Sequence, residues 1–268
     1  MNGAGSRIRA FRLVALVTMI SIARAPHAAV YGADDRQYVS TTPGSPYSPV
    51  GLIRVGRNRS AGTLISRCDV LTVQHLYPRT LTISQDPRGE RATFYGSMPA
   101  KRPVSSEGTI IAAGGWKRLK TSDPYRYYDN VGSDWMIVRL DECLGDKLGW
   151  ALLDKSTTWP GETDRKHLQD AGFPVDRDNS LGLSVDPDCT IHGAMRGVLF
   201  HDCATMPGNS GGPVFRLITV NGVQRMKIVG IVSAVASYAP AAVGVPGREN
   251  VATSAWNVRY DASSDRSP

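Results

Sequence analysis

The chain has 268 residues, 41% of them apolar, enough to fill the core of one large β domain or two small ones. Its 27 glycines and 17 prolines suit a turn-rich β protein better than a helical bundle. The formal charge of +7 falls to +3 without Arg7, Arg9, Arg12 and Arg24 (27 basic residues against 24 acidic), and no run of five like charges or aromatic–basic interleaving remains, which speaks against a nucleic-acid partner.

Residues 1–28 read as a secretory signal. Arg7, Arg9 and Arg12 form a basic start, an apolar run follows to Ala23, and small residues stand at Ala25, Ala28 and Ala29. That run is shorter than the roughly 20 residues a membrane span needs, so no stable span is expected after cleavage, and the destination is the periplasm or the medium. Residues 29–45 are polar and turn-rich, an N-terminal arm or short propeptide. From Pro49 short β-branched runs are punctuated by Gly, Asn, Asp or Pro, which predicts strands at 50–55, 62–66, 70–73, 135–140, 195–200, 214–220 and 226–234. Asn221-Gly222 predicts a tight hairpin turn between the last two. One or two helical turns are expected at 162–170 and a short helix at 252–260. Many short strands with few helices make the chain all-β.

The cysteines are Cys68, Cys143, Cys189 and Cys203. There is no C-x-x-C and no zinc-finger spacing, so neither a metal nor another cofactor is expected. An even count behind a signal peptide suggests disulfides. The stretch between Cys189 and Cys203 resembles a hairpin turning near Gly193, which favours that pair; Cys68 with Cys143 follows by elimination.

Gly208-Asn209-Ser210-Gly211-Gly212-Pro213 is the most informative segment. Flanking glycines allow a sharp turn that presents the Ser210 hydroxyl. A serine nucleophile needs a base, and His27, His75, His167, His192 and His201 all precede it. The nucleophile elbow of α/β-hydrolases needs the order Ser, Asp or Glu, His, which this chain cannot supply; the order His, Asp, Ser remains open. His75 ends an apolar run, and Asp134 opens Trp135-Met136-Ile137-Val138-Arg139-Leu140, with Asp129 as the lesser candidate.

These segments resemble the sequence blocks of the trypsin/chymotrypsin-like serine proteases. Gly62-Thr63-Leu64-Ile65-Ser66 and Val70-Leu71-Thr72-Val73-Gln74-His75 are similar to the histidine block, with Val73 and Gln74 where the family usually has two alanines. Asp134 onward resembles the aspartate block, and residues 208–213 the serine block. The resemblance implies two antiparallel β-barrels, 46–145 carrying His75 and Asp134 and 146–268 carrying Ser210, with the active site in the cleft between them. It implies Ser210 as nucleophile, His75 as base, Asp134 as the carboxylate orienting it, and an oxyanion hole from the N–H groups of Gly208 and Ser210. Asn209 is uncharged, so the activation salt bridge of pancreatic-type members has no counterpart in the same form. Tyr31-Gly32-Ala33-Asp34-Asp35-Arg36, Ala171-Gly172-Phe173-Pro174 and His201-Asp202-Cys203 resemble the bacterial glutamyl-endopeptidase-like group most. The primary pocket would be lined by Ala204, Thr205, Val232, Ser233, Ala234 and Val235, the strand from Ser233 also pairing with the substrate backbone. Ala204 offers no anion for a basic side chain, and Val232 stands where glutamate-cleaving relatives usually have histidine, so small or apolar side chains are favoured. A monomer acting on a protein or peptide is expected, with an inactive binding module or a serine esterase as the alternatives.

Overall fold

A computed structural model describes residues 30, 34–77, 86–97, 103–119, 121, 123–156, 161, 163–177, 182–236 and 249–260. Residues 1–28, read above as a signal, lie outside them, as does Tyr31-Gly32-Ala33. The described chain begins with a two-residue strand β1 (Gln37–Tyr38) and continues through β2 (Val50–Val55), β3 (Asn58–Leu64), β4 (Asp69–Thr72), β5 (Arg91–Gly96), β6 (Val104–Ala113), helix α1 (Pro124–Val131) and β7 (Met136–Leu140). Strands β2 to β7 close into a six-stranded antiparallel barrel in the order β2-β3-β4-β7-β6-β5. Its interior is filled by Ile53, Leu64, Val70, Phe94, Ile110, Met136 and Val138, all at 1% exposure or less. Inward residues alternate along the strands, as a half-buried sheet requires.

The second lobe opens with a four-residue helix α2 (Gly145–Leu148) and β8 (Leu152–Leu153). It continues with β9 (Leu168–Gly172), β10 (Ser184–Cys189), β11 (Ile191–Met195), β12 (Val198–His201), β13 (Pro213–Val220), β14 (Val223–Ala236) and β15 (Glu249–Ser254). These form a nine-stranded sheet together with β1, in the order β1-β10-β9-β13-β14-β15-β12-β11, with β8 added parallel to β14. The N-terminal arm therefore belongs to the second lobe, since β1 pairs with β10. A short 3-10 turn, Ala255–Asn257, follows β15.

Several sequence expectations are corrected here. Within residues 162–170, the described residues 163–170 form a 3-10 turn at Thr163–Arg165 and then enter β9, whose Leu168, Asp170 and Ala171 are fully buried between β10 and β13. Residues 252–260 begin as β15, not helix, because β12 and β14 flank them on both sides. The hairpin inside the Cys189–Cys203 loop turns at Arg196-Gly197, both at positive φ, while Gly193 pairs with Phe200 within the ladder. Asn221-Gly222 is the expected hairpin turn, with φ of 51° and 78°. Helix α1, unexpected from sequence, starts where the Asp123 carboxylate accepts the Tyr125 N–H at 2.9 Å and Pro124 fixes the first helical φ. Both cysteine pairs are bridged as expected, Cys68–Cys143 and Cys189–Cys203.

The lobes are joined by a buried polar cluster and by shared apolar packing. Asp69, fully buried on β4, accepts from Ser66 Oγ (2.9 Å), Arg139 Nε (2.9 Å) and the Tyr260 hydroxyl (2.5 Å) near the C-terminus. Phe173, Val185, Phe215 and Ile231 of the second lobe belong to the same apolar cluster as the barrel residues Val50, Val70 and Val138.

Candidate active site

His75 sits in a one-turn 3-10 helix, Gln74–Leu76, that ends the β4 run. Its Nδ1 is 2.6 Å from Asp134 Oδ2, and its backbone N–H donates to Asp134 Oδ1 at 2.9 Å. The Asp134 carboxylate is 1% exposed, whereas the His75 ring is 24% exposed. One edge of the imidazole is thus fixed by a buried anion, and the ring remains partly open to solvent. Ser233 donates a third hydrogen bond to this carboxylate, from Oγ to Oδ2 at 2.5 Å. Asp129 lies on α1, where it pairs with Arg196 at 2.8 Å and not with His75. The other described histidines differ: His167 faces the exposed Asp188, His192 the half-buried Asp202, and His201 is wholly buried.

Gln74, which replaces a small residue in the resembled block, has a visible task. Its Oε1 accepts the N–H groups of Gly115 (2.8 Å) and Trp116 (2.9 Å), and its Nε2 donates to the Trp116 carbonyl at 3.4 Å. Asn130 holds the same segment through two bonds to Lys117, each 2.7 Å. The clamped loop sets the Trp116 ring 5.9 Å from the His75 ring. Val73 and Gln74 mark a departure from the resembled block, but only the fold reveals which loop the Gln74 amide holds.

Ser210 is half-buried in the turn between β12 and β13. Its carbonyl accepts from Ala61 N–H at 2.9 Å and from Ser60 Oγ, both on β3 of the barrel. Next to it, Gly211 has a φ of 79°, and a Cβ there would overlap the Ala61 carbonyl oxygen and Thr72 Oγ1. Thr72 is three residues ahead of His75. On the other side, Gly211 N–H donates to the Val232 carbonyl (2.8 Å), and Val232 N–H donates to Gly212 O (2.9 Å). Val232 adjoins Ser233, whose hydroxyl reaches Asp134. The serine turn is therefore bonded at one edge to β3 of the barrel and at the other to Val232, the neighbour of the serine that bonds Asp134.

Gly208 has a φ of 104°, and a Cβ there would strike the Phe173 carbonyl. Neither the Gly208 nor the Ser210 N–H is bonded to a backbone carbonyl among the described residues. Two preorganised donors beside a hydroxyl are what a developing oxyanion needs. Asn209 supplies the turn's internal frame: its N–H donates to Met206 O (2.9 Å) and its carbonyl accepts from Gly212 (2.8 Å). Gly172, in the Ala171-Gly172-Phe173-Pro174 segment, permits this approach, since a Cβ there would lie 2.7 Å from Asn209 Cα.

Of the pocket candidates, Ala204, Thr205, Val232 and Ser233 are buried and Ala234 half-buried. The Val232 side chain belongs to the apolar cluster of Leu168, Leu199 and Val214. β13 pairs with β14 only as far as Ile231, so from Ser233 to Val235 the strand has β15 on one side and no ladder partner on the other among the described residues. Such an open edge accepts an added strand. Directly behind Ala204 lies Asp186, a carboxylate the motif-based reading did not single out. Its Oδ2 accepts the Ala204 N–H at 2.6 Å, and its Oδ1 that of Asp188 at 3.2 Å. Burial raises the Asp186 pKa above the usual carboxylate range. Among the described residues no cluster of His, Cys, Asp and Glu has the makings of a metal site.

No protein-family model matches the chain, and no curated protein matches it. Solved structures do. A Glu endopeptidase in complex with MPD is similar at a TM-score of 0.60 and 21% identity, over 85% of this chain and 94% of that one. The protease Anisep from Arthrobacter nicotinovorans is similar at a TM-score of 0.51 and 16% identity, over 82% of this chain and 93% of that one. The fold is that of the chymotrypsin-like serine proteases, as the sequence blocks implied.

Proposed function

We propose that the protein is a secreted serine endopeptidase that cleaves peptide bonds through an acyl-enzyme, with Ser210 as nucleophile, His75 as general base and acid, and Asp134 as the carboxylate behind it. The observation that carries this reading is the buried Asp134, bonded to both the Nδ1 and the backbone N–H of His75. A carboxylate so placed selects the tautomer with a bare Nε2 and stabilises the imidazolium formed on proton transfer. Ser210 Oγ attacks the scissile carbonyl as its proton passes to His75. The tetrahedral oxyanion is held by the Gly208 and Ser210 N–H groups. His75 then protonates the leaving amine, and water releases the acyl group by the same steps in reverse order.

The substrate backbone adds to the open edge of β14 at Ser233, Ala234 and Val235, with the side chain before the cut entering the pocket bounded by Ala204 and Thr205. Desolvating a charged side chain there without an opposite charge is costly, so small or apolar residues are preferred. Two disulfides and the basic-then-apolar leader support an oxidising destination, the periplasm or the medium. No helix among the described residues is long and apolar enough to cross a membrane.

Ser210→Ala is expected to abolish cleavage of a peptide library while leaving the melting curve and disulfides unchanged. Undiminished hydrolysis by that variant would refute the assignment. Dominant cutting after Lys, Arg or Glu by the wild type would refute the pocket preference alone.

A further inference from the structure

Asp170 lies on β9 with no exposure at all, registered against Val214 of β13 and Asp186 of β10. Its Oδ2 accepts one hydrogen bond, from Asn209 Nδ2 at 2.9 Å. The remaining oxygen of each group, Asp170 Oδ1 and Asn209 Oδ1, is buried and has no donor in full hydrogen-bond geometry among the described residues, although the Ala171 N–H interacts with the Asp170 carboxylate. Two bare acceptors on adjoining planar groups form an arrangement that buried polar atoms avoid. A single proton on Asp170 Oδ1, donated to Asn209 Oδ1, would remove both deficits.

We propose that Asp170 works as a neutral carboxylic acid, closing a two-bond acid–amide ring with Asn209 that fixes the turn bearing Gly208 and Ser210. This rests on the reading of that turn as an oxyanion hole. Asp170 is then a positioning residue acting through Asn209. In the ring, Asn209 Nδ2–H donates to Asp170 Oδ2 and the Asp170 hydroxyl donates to Asn209 Oδ1, so neither buried group is left short. Asn209 in turn frames residues 206–212 through its own N–H and carbonyl. An uncharged residue before the serine is thereby anchored without an ion pair.

The surrounding groups support a neutral Asp170. Burial pushes its pKa up to about 8, and the nearby Asp186 carboxylate adds to the rise. Asn209, the Arg36 guanidinium on the N-terminal arm and the Ala171 N–H pull the other way without overcoming it. Arg36 is itself engaged with Asp34 at 2.8 Å and Asp176 at 2.7 Å.

The test compares wild type, Asp170→Asn and Asp170→Ala in steady-state kinetics from about pH 6 to about pH 10. The wild type should lose kcat as pH rises through about 8, with KM little changed, because ionised Asp170 can no longer donate. Asparagine offers the same acceptor and a donor in place of the hydroxyl. Asp170→Asn should therefore keep kcat within about three-fold at neutral pH and lose the step near pH 8, whereas Asp170→Ala should lose on the order of 10² in kcat while still folded. Difference infrared spectroscopy of wild type against Asp170→Asn reads the proton without any activity. A protonated-acid carbonyl band should be present at neutral pH and give way to carboxylate above about pH 8. Absence of that band, or an Asp170→Asn variant as impaired as Asp170→Ala, would overturn the latch. A wild type with the band but no hydrolysis of any peptide or ester would instead overturn the enzymatic reading.

Discussion

Asp134 gathers three donors at one buried carboxylate: the His75 ring, the His75 N–H and the Ser233 hydroxyl. Sequence placed Ser233 among the substrate-binding residues, yet its side chain is turned to the aspartate, leaving only its backbone for the open strand edge. Ser233→Ala should lower kcat about ten-fold with KM nearly unchanged, the loss of one hydrogen bond to a charged group that matters most when His75 becomes cationic. Steady-state kinetics on a peptide ester and a peptide amide would check this, and a purely KM effect would count against the proposed role. His201 shows the opposite behaviour of a buried polar group. Both ring nitrogens lack partners among the described residues, and burial lowers its pKa to about 4.

At the scale of elements, the serine turn depends on glycines in different ways. Gly211 combines a φ of 79° with contact on the barrel, so Gly211→Ala must displace β3 or the Thr72 side chain. Gly222, at φ 78° in the β13–β14 hairpin, has open space where a Cβ would go. Gly222→Ala should cost roughly 1 kcal/mol of backbone strain and keep activity, whereas Gly211→Ala should cost more than about 3 kcal/mol and abolish it. Paired melting and activity measurements separate the two; equal effects would mean the turn is not docked as described. This contrast also shows what was legible in the chain. β2, β4, β7, β13 and β14 carry β-branched apolar runs and could be found by eye, as could the tight turn at Asn221-Gly222. β9 (LQDAG) and β10 (SVDPDC) hold Asp, Gly and Pro, residues that local preference keeps out of strands. They are strands because their neighbours bury them, and Pro187 is tolerated where the register shifts between Asp186 and Cys189. The three motif blocks named His75, Asp134 and Ser210, but Asp170, Asp186 and Trp116 are brought to the site only by pairing and loop clamping.

For the whole molecule, two buried groups set opposing pH dependences of stability. A histidine whose folded pKa is about 4 binds its proton in the unfolded chain first, near pH 6.5. Its contribution is therefore intact above about pH 6.5 and is lost as pH falls toward about 4, a change of roughly 3 kcal/mol. Relative to wild type, His201→Phe should gain melting temperature as pH falls across that window, because only the wild type loses the histidine contribution; a wild-type-to-variant difference independent of pH would show that His201 titrates normally. Asp170 has the opposite sense. Its raised pKa makes the unfolded chain release a proton first, so this group costs stability as pH climbs from about 4 to about 8. The two lobes remain joined at the seam by the Asp69, Arg139 and Tyr260 cluster. The most direct measurement is reaction of the purified protein with a fluorophosphonate probe, the labelled peptide being identified by mass spectrometry. The account predicts one adduct, on Ser210, strongly slowed by His75→Ala and absent from Ser210→Ala. No labelling of the folded wild type, or an adduct on another serine, would contradict it.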